Sequence, residues 1–127
     1  MVFVMPDPLV SDIGHIVLPV RDMKQALRFY RDLLGLTVEG KEDAVWTVIA
    51  ANETRLTLYR KKDFAPIALG PDGEDTPFLF HVRDFGQAAD LLESKGVRVK
   101  RKDEHSGVVW DPFGNVLGMH DHLEAEG

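Results

Sequence analysis

Five histidines and no cysteine set the chemical vocabulary of this chain. His15 opens the apolar run "HIVLPV", His81 sits in "PFLFHV", His105 lies in the turn "KDEHSG", and His120 and His122 flank an aspartate in "HDH". A neutral imidazole ligates divalent cations, and the same ring moves protons near neutral pH. Without cysteine there is no disulfide, zinc–thiolate site or thiol nucleophile. Metal-free acid–base catalysis needs a buried carboxylate beside a histidine. No such pair is evident, because most acidic residues fall in turns, helix caps or the tail "DHLEAEG". There is also no GxSxG elbow, no HExxH pair and no glycine-rich phosphate loop after a strand.

A second group alternates along "TRLTLYR": Arg55, Thr57 and Tyr59 share one face of a predicted strand. Arg55 offers a bidentate donor to an anion. Tyr59 offers a ring and a hydroxyl. The same two residues also suit a sheet edge and a core position. Trp46 and Trp110 fall on predicted strands, where they are either aromatic walls for a planar or apolar ligand or ordinary packing.

The elements that must position these residues come in two matching sets. "HIVLPV" (15–20) reads as a strand. Asp22 then caps a helix, with Gln25 three residues on as in a capping box. Met23, Ala26, Leu27, Tyr30 and Leu34 form its apolar face, and Gly35 ends it. Strands follow over Leu36–Glu39, Ala44–Ala51 and Thr54–Arg60, with a hairpin turn in "AANET". The second half repeats the order. "PFLFHV" (77–82) is a strand, and Asp84 caps a helix whose face is Phe85, Ala88, Ala89 and Leu92. Gly96 ends that helix, and strands follow over Val97–Arg101, Gly107–Trp110 and Val116–His120. The turn "DPFGN" precedes the last strand, with Pro112 presetting φ and Gly114 free to turn left-handed. "VRDM" has a twin in "VRDF".

The expected fold is therefore α+β, two tandem βαβββ modules in one domain over 1–127. An N-terminal arm spans 1–11, the first module 12–60 and the second 77–122, with a tail at 123–127. The linker between modules, 61–76, is rich in Pro, Gly and Asp and reads as a loop folding over a pocket. A chain of 127 residues builds one such core without a metal to hold it. The net charge of −6 opposes non-specific nucleic-acid binding. The basic run "KGVRVKRK" (95–102) reads as an edge guard. No apolar run reaches membrane-spanning length, and "MVFVMPDPLV" lacks the basic start of a signal peptide. A cytoplasmic location is the expectation.

"GHIVLPVRDMKQALRFYRDLLGL" and "WDPFGNVLGMHD", set in this tandem order, resemble the glyoxalase / bleomycin-resistance / extradiol-dioxygenase superfamily, the vicinal oxygen chelate proteins. The similarity covers roughly residues 12 to 122. It implies two sheets curling around a shared cleft, often within a homodimer. In metal-dependent members it also implies one divalent cation, held by His, Glu or Gln from the first and last strand of each module and acting as a Lewis acid. Carried onto this chain, those four positions are His15, Thr57, Pro77 and Gly118. Only His15 is a usable ligand, and one imidazole does not hold a catalytic ion.

His81 and His120 are in phase with Pro77 and Gly118, so a relocated site of His15, His81 and His120 is the alternative. No inward Asp or Glu is expected beside them. The expected function is small-molecule binding in an aromatic or apolar cleft of His15, Val17, Trp46, Arg55, Thr57, Tyr59, Leu79, His81, Trp110 and His120, with no cofactor. The alternatives are a lyase- or dioxygenase-type enzyme with a relocated divalent metal, and a non-catalytic interaction module.

Overall fold

The computed structural model describes Leu9, Val10, residues 15–77 and residues 79–121. Most of the expected arm, the tail and His122 lie outside the described residues. The element order is β1 (Ile16–Val20), α1 (Met23–Leu27, continuing as a π-helical turn over Arg28–Leu33), β2 (Thr37–Glu39), β3 (Trp46–Ala51), β4 (Thr54–Arg60), β5 (Leu79–His81), α2 (Phe85–Ser94), β6 (Val99–Arg101), β7 (Ser106–Trp110) and β8 (Val116–His120). The strands form two four-stranded sheets, β1-β4-β3-β2 and β5-β8-β7-β6. In each, the module's first strand runs parallel to its last. The two-module α+β architecture is the expected one.

Local chemistry explains the repeat. Asp22 accepts a hydrogen bond from the Gln25 amide at 3.0 Å, and Asp84 accepts one from Gln87 at 2.9 Å. Each cap satisfies a free N–H of the first helical turn. Gly35 (φ +85) and Gly96 (φ +82) end the two helices in the left-handed region, where a side chain would be strained. The first helix departs from a regular α-helix. Its wide π turn carries an extra residue, so Phe29 joins Tyr30 in the core with the rings edge-to-face at 4.9 Å. The apolar spacing picked out Tyr30 but not Phe29.

Both helices lie on one side of the sheets over a common core. Leu18, Val20, Leu27 and Leu58 of the first module and Phe85, Val109 and Leu117 of the second belong to one buried cluster. Each such side chain contributes about 1.5–3 kcal/mol on leaving water. A polar knot also crosses the seam between modules. Tyr30 donates its hydroxyl proton to Asp111 Oδ2 at 2.7 Å. Asn115 Nδ2 donates to Asp111 Oδ2 and to the Pro19 carbonyl, each at 2.8 Å. Asp111 Oδ1 accepts from the Phe113 and Asn115 amides, both at 2.8 Å. Asp111 stands in the turn "DPFGN" yet is buried, unlike most of the acidic residues. Its site beside Tyr30 and under Asn115 removes it from water.

Candidate ligand-binding face

Strand alternation turns one set of side chains toward the helices and the other toward the opposite face. In the first module Leu18, Leu56, Leu58 and Ile49 join the core. The opposite face is built in rungs. Pro19 pairs with Tyr59 and Tyr59 with Trp46. The next rung is Val17, Thr57, Val48 and Glu39, and beyond it come Arg55, Ala50 and Thr37. This face is open: Val17 is 43% exposed and Trp46 is 44% exposed. Trp46 stands edge-to-face with half-buried Tyr59 at 5.4 Å. Asp43 fixes the start of β3 by accepting hydrogen bonds from the Val45 and Trp46 amides, at 2.8 and 3.1 Å. Those two donors hold its carboxyl below the usual carboxylate range.

The second module follows the same pattern. Leu79 pairs with Gly118 and Gly118 with Val108, and Val108 pairs in turn with Lys100. The next rung is His81, His120 and Ser106. Leu79 is 60% exposed and His81 is exposed, whereas Val108 and Val116 are buried. Trp110 is half-buried, and the Arg98 guanidinium sits 3.8 Å above its ring. A groove of about 530 Å³ separates β5 from the β3–β4 hairpin end, lined by Ile16, Asn52, Thr54, Leu56, Leu79 and His81.

At the positions the resemblance marks for a metal, His15 and Thr57 are joined to each other. The His15 Nδ1 and Thr57 Oγ1 atoms are hydrogen-bonded at 2.8 Å. Thr57 is fully buried while His15 is exposed, which leaves the other ring nitrogen of His15 for a ligand. Gly118 brings no donor atom, and Pro77 lies ahead of β5 and brings none. This donor set does not fit a divalent centre. His81 and His120 are neighbours, with ring centroids 5.4 Å apart. Within one chain they and His15 do not form a metal-holding group, and among the described residues no three His, Asp or Glu side chains do.

A carboxylate, Glu39, stands on the first-module face at its β2 edge, away from the three histidines. Its pairing with Val48 points it to the same face as Thr57, and it accepts from Arg55 Nε at 2.7 Å. Alternation along a three-residue strand was too brief a signal to reveal this. Arg55 on this face is therefore paired with Glu39. His105 lies on the surface, as expected, with its Nδ1 2.8 Å from Asp121 Oδ1.

The family description "Glyoxalase/Bleomycin resistance protein/Dioxygenase superfamily" matches residues 12–119. The chain belongs to this superfamily. Among curated relatives, this superfamily member is 25% identical over 126 residues to glutathione transferase FosA of Serratia marcescens, covering 88% of this chain and 82% of that one. It is 30% identical over 125 residues to the uncharacterized protein YraH of Bacillus subtilis (strain 168), covering 86% and 97%. Among solved structures it superposes on TnmS3, an antibiotic binding protein from Streptomyces sp. CB03234, with a TM-score of 0.70 and 22% identity over 91% and 99% of the two chains. Enzymes and binding proteins thus share this superfamily's fold, so the site residues carry the functional argument.

Proposed function

We propose that this superfamily member is a metal-free small-molecule binding protein. Its ligand is a planar aromatic or apolar compound lying on the first-module face against Val17, Trp46 and Tyr59. His15, held by Thr57, supplies a hydrogen bond at the polar end. The carrying observation is the His15–Thr57 bond, which engages both first-module ligand positions with each other next to an exposed aromatic wall. A homodimer closes the cleft in this reading, because open apolar side chains such as Val17, Trp46 and Leu79 need a cover that one chain does not provide. The partners are a small molecule and a second copy, with no role for nucleic acid or membrane, and the setting is cytoplasmic. None of the helices in the described residues is long and apolar enough to cross a membrane.

The second reading is an enzyme that gathers a divalent metal at His81 and His120, helped by His15 of a second copy. The closeness of the two imidazoles favours it. A thermal-shift screen with aromatic antibiotics, glutathione conjugates and catechols, run with and without chelator, separates the two. The binding reading predicts a ligand that raises the melting temperature equally in both conditions. A shift abolished by chelator supports the enzyme reading, and no shift with any compound overturns the small-molecule role.

A further inference from the structure

The linker between modules is a strap across the second-module face. Its root is fixed: the Ile67 amide donates to Asn115 Oδ1 at 2.7 Å, and the Ile67 carbonyl accepts from the Val116 amide at 2.8 Å. Its tip is a small hairpin in which Leu69 and Asp75 exchange backbone hydrogen bonds at 2.9 and 3.0 Å. Gly70 (φ +78) and Gly73 (φ +66) make the turn. From the root beside β8 the strap reaches β6, the far edge of the sheet, before returning to β5. It does so on the face opposite α2, because Val99 and Arg101 of β6 face the helix and Arg98 and Lys100 face away.

The strap tip is acidic and the strand beneath it is basic. Glu74 accepts from Lys100 Nζ at 2.6 Å and lies 3.8 Å from Arg98. Lys100, Arg98 and Lys102 together hold the Glu74 carboxyl below the usual carboxylate range. Glu74 is the least exposed member of the group, at 25% against 55% for Lys100 and 67% for Arg98. A cavity of about 290 Å³ lies between tip and strand, lined on the strap side by Leu69, Asp72, Glu74 and Asp75 and on the other by Lys100 and Lys102. The basic run that reads in sequence as an edge guard thus already holds a carboxylate, next to the Arg98-covered ring of Trp110.

We propose that Arg98, Lys100 and Lys102 form a site for a small oxyanion, a carboxylate or a phosphate. Glu74 is its built-in occupant, and anion binding displaces the strap tip from the second-module face. A carboxylate at the tip of an exposed turn is a competitor that an external anion can replace, because a partly exposed ion pair of this kind is weak. Displacement releases Lys100 and Arg98 from Glu74, and Arg98 already stands over the Trp110 ring, which sets charge recognition beside an aromatic surface. The inference does not depend on how the first-module face is used.

Amide spectra of the full chain test it, with sodium benzoate and sodium phosphate as separate probes and sodium chloride at matched ionic strength as control. In E74Q the signals of Lys100, Lys102, the strap tip (70–75) and the Trp110 indole should shift saturably, with affinity about tenfold tighter than in the unaltered chain. Adding K100Q should abolish the effect, while the dispersed spectrum of E74Q reports that the fold is intact. Response to benzoate alone assigns a carboxylate ligand, and response to phosphate alone assigns a phosphoryl one. Equal affinity with and without Glu74, shifts reproduced by chloride, or strap-tip signals that stay fixed while Lys100 moves would each overturn the proposal.

Discussion

The two modules share a frame and differ on the face it presents. At one register the first module sets Pro19, Tyr59 and Trp46 side by side, and the second sets His81, His120 and Ser106. One rung is aromatic and the other is polar. At the next register Thr57 holds His15, while its counterpart Gly118 holds nothing. The first face is open at Val17 and Trp46, whereas on the second, where Leu79 and His81 are exposed, the strap crosses towards β6 and Val108 and Val116 are buried. Conserving the helix-facing residues keeps the core intact, so the outward face is where the copies are free to diverge. The pair thus sets an open aromatic face on one module and a guarded basic patch on the other.

The strongest way to break this comparison is to attack what joins the modules. Asp111→Ala removes the acceptor of four hydrogen bonds, and two of its partner residues, Tyr30 and Asn115, are fully buried. Urea unfolding should show a loss of about 3 kcal/mol or more. A loss below about 1 kcal/mol would mean that the polar knot does not hold the modules together.

Gly107→Ala strikes one module alone. An added Cβ would fall 2.6 Å from Phe85 Cζ and closer still to the Lys100 carbonyl. Denaturation should report a cost of about 1–3 kcal/mol, with the first-module ligand face left able to bind. Equal loss of ligand binding would show that the two faces are not separable.

Trp46→Ala sharpens the comparison on the open side. Any ligand found by thermal shift should bind about tenfold more weakly, a loss of roughly 1.4 kcal/mol from one aromatic contact. Trp110→Ala should change affinity less, because Arg98 already covers that ring. The reverse order would move the ligand to the second module.

The smallest effect is alkaline. Burial first, and then the neighbouring Asp111 charge, raise the Tyr30 hydroxyl well above its ordinary value of 10.0. The contribution of neutral Tyr30 is therefore fully present below the unfolded value and is lost as pH rises from there through the raised folded value. Stability measured from pH 9 upward should fall in the unaltered chain and fall less steeply in Tyr30→Phe. Parallel curves would remove Tyr30 from the account.

What sequence made legible here is what depends on near neighbours. Asp22 with Gln25, Asp84 with Gln87, and the stops at Gly35 and Gly96 are decided within one turn of chain, and they outline both modules. The alternation of Arg55, Thr57 and Tyr59 was also readable, because seven residues of β4 repeat it. Glu39 was not, since a three-residue strand takes its register from β3. Asp111 looked like an ordinary turn residue, and its burial comes from Tyr30, 81 positions away. The partner of the basic run was hidden for the same reason: Glu74 reaches Lys100 across 26 positions through a loop.

Metal binding puts the central claim to the most direct test. The chain, stripped with chelator and dialysed against nickel, zinc, manganese and ferrous iron in turn, should hold no stoichiometric ion, and His15→Ala should match it. One ion per chain, lost on His15→Ala and on His120→Ala, would contradict a cleft in which His15 serves Thr57 and a ligand rather than a metal.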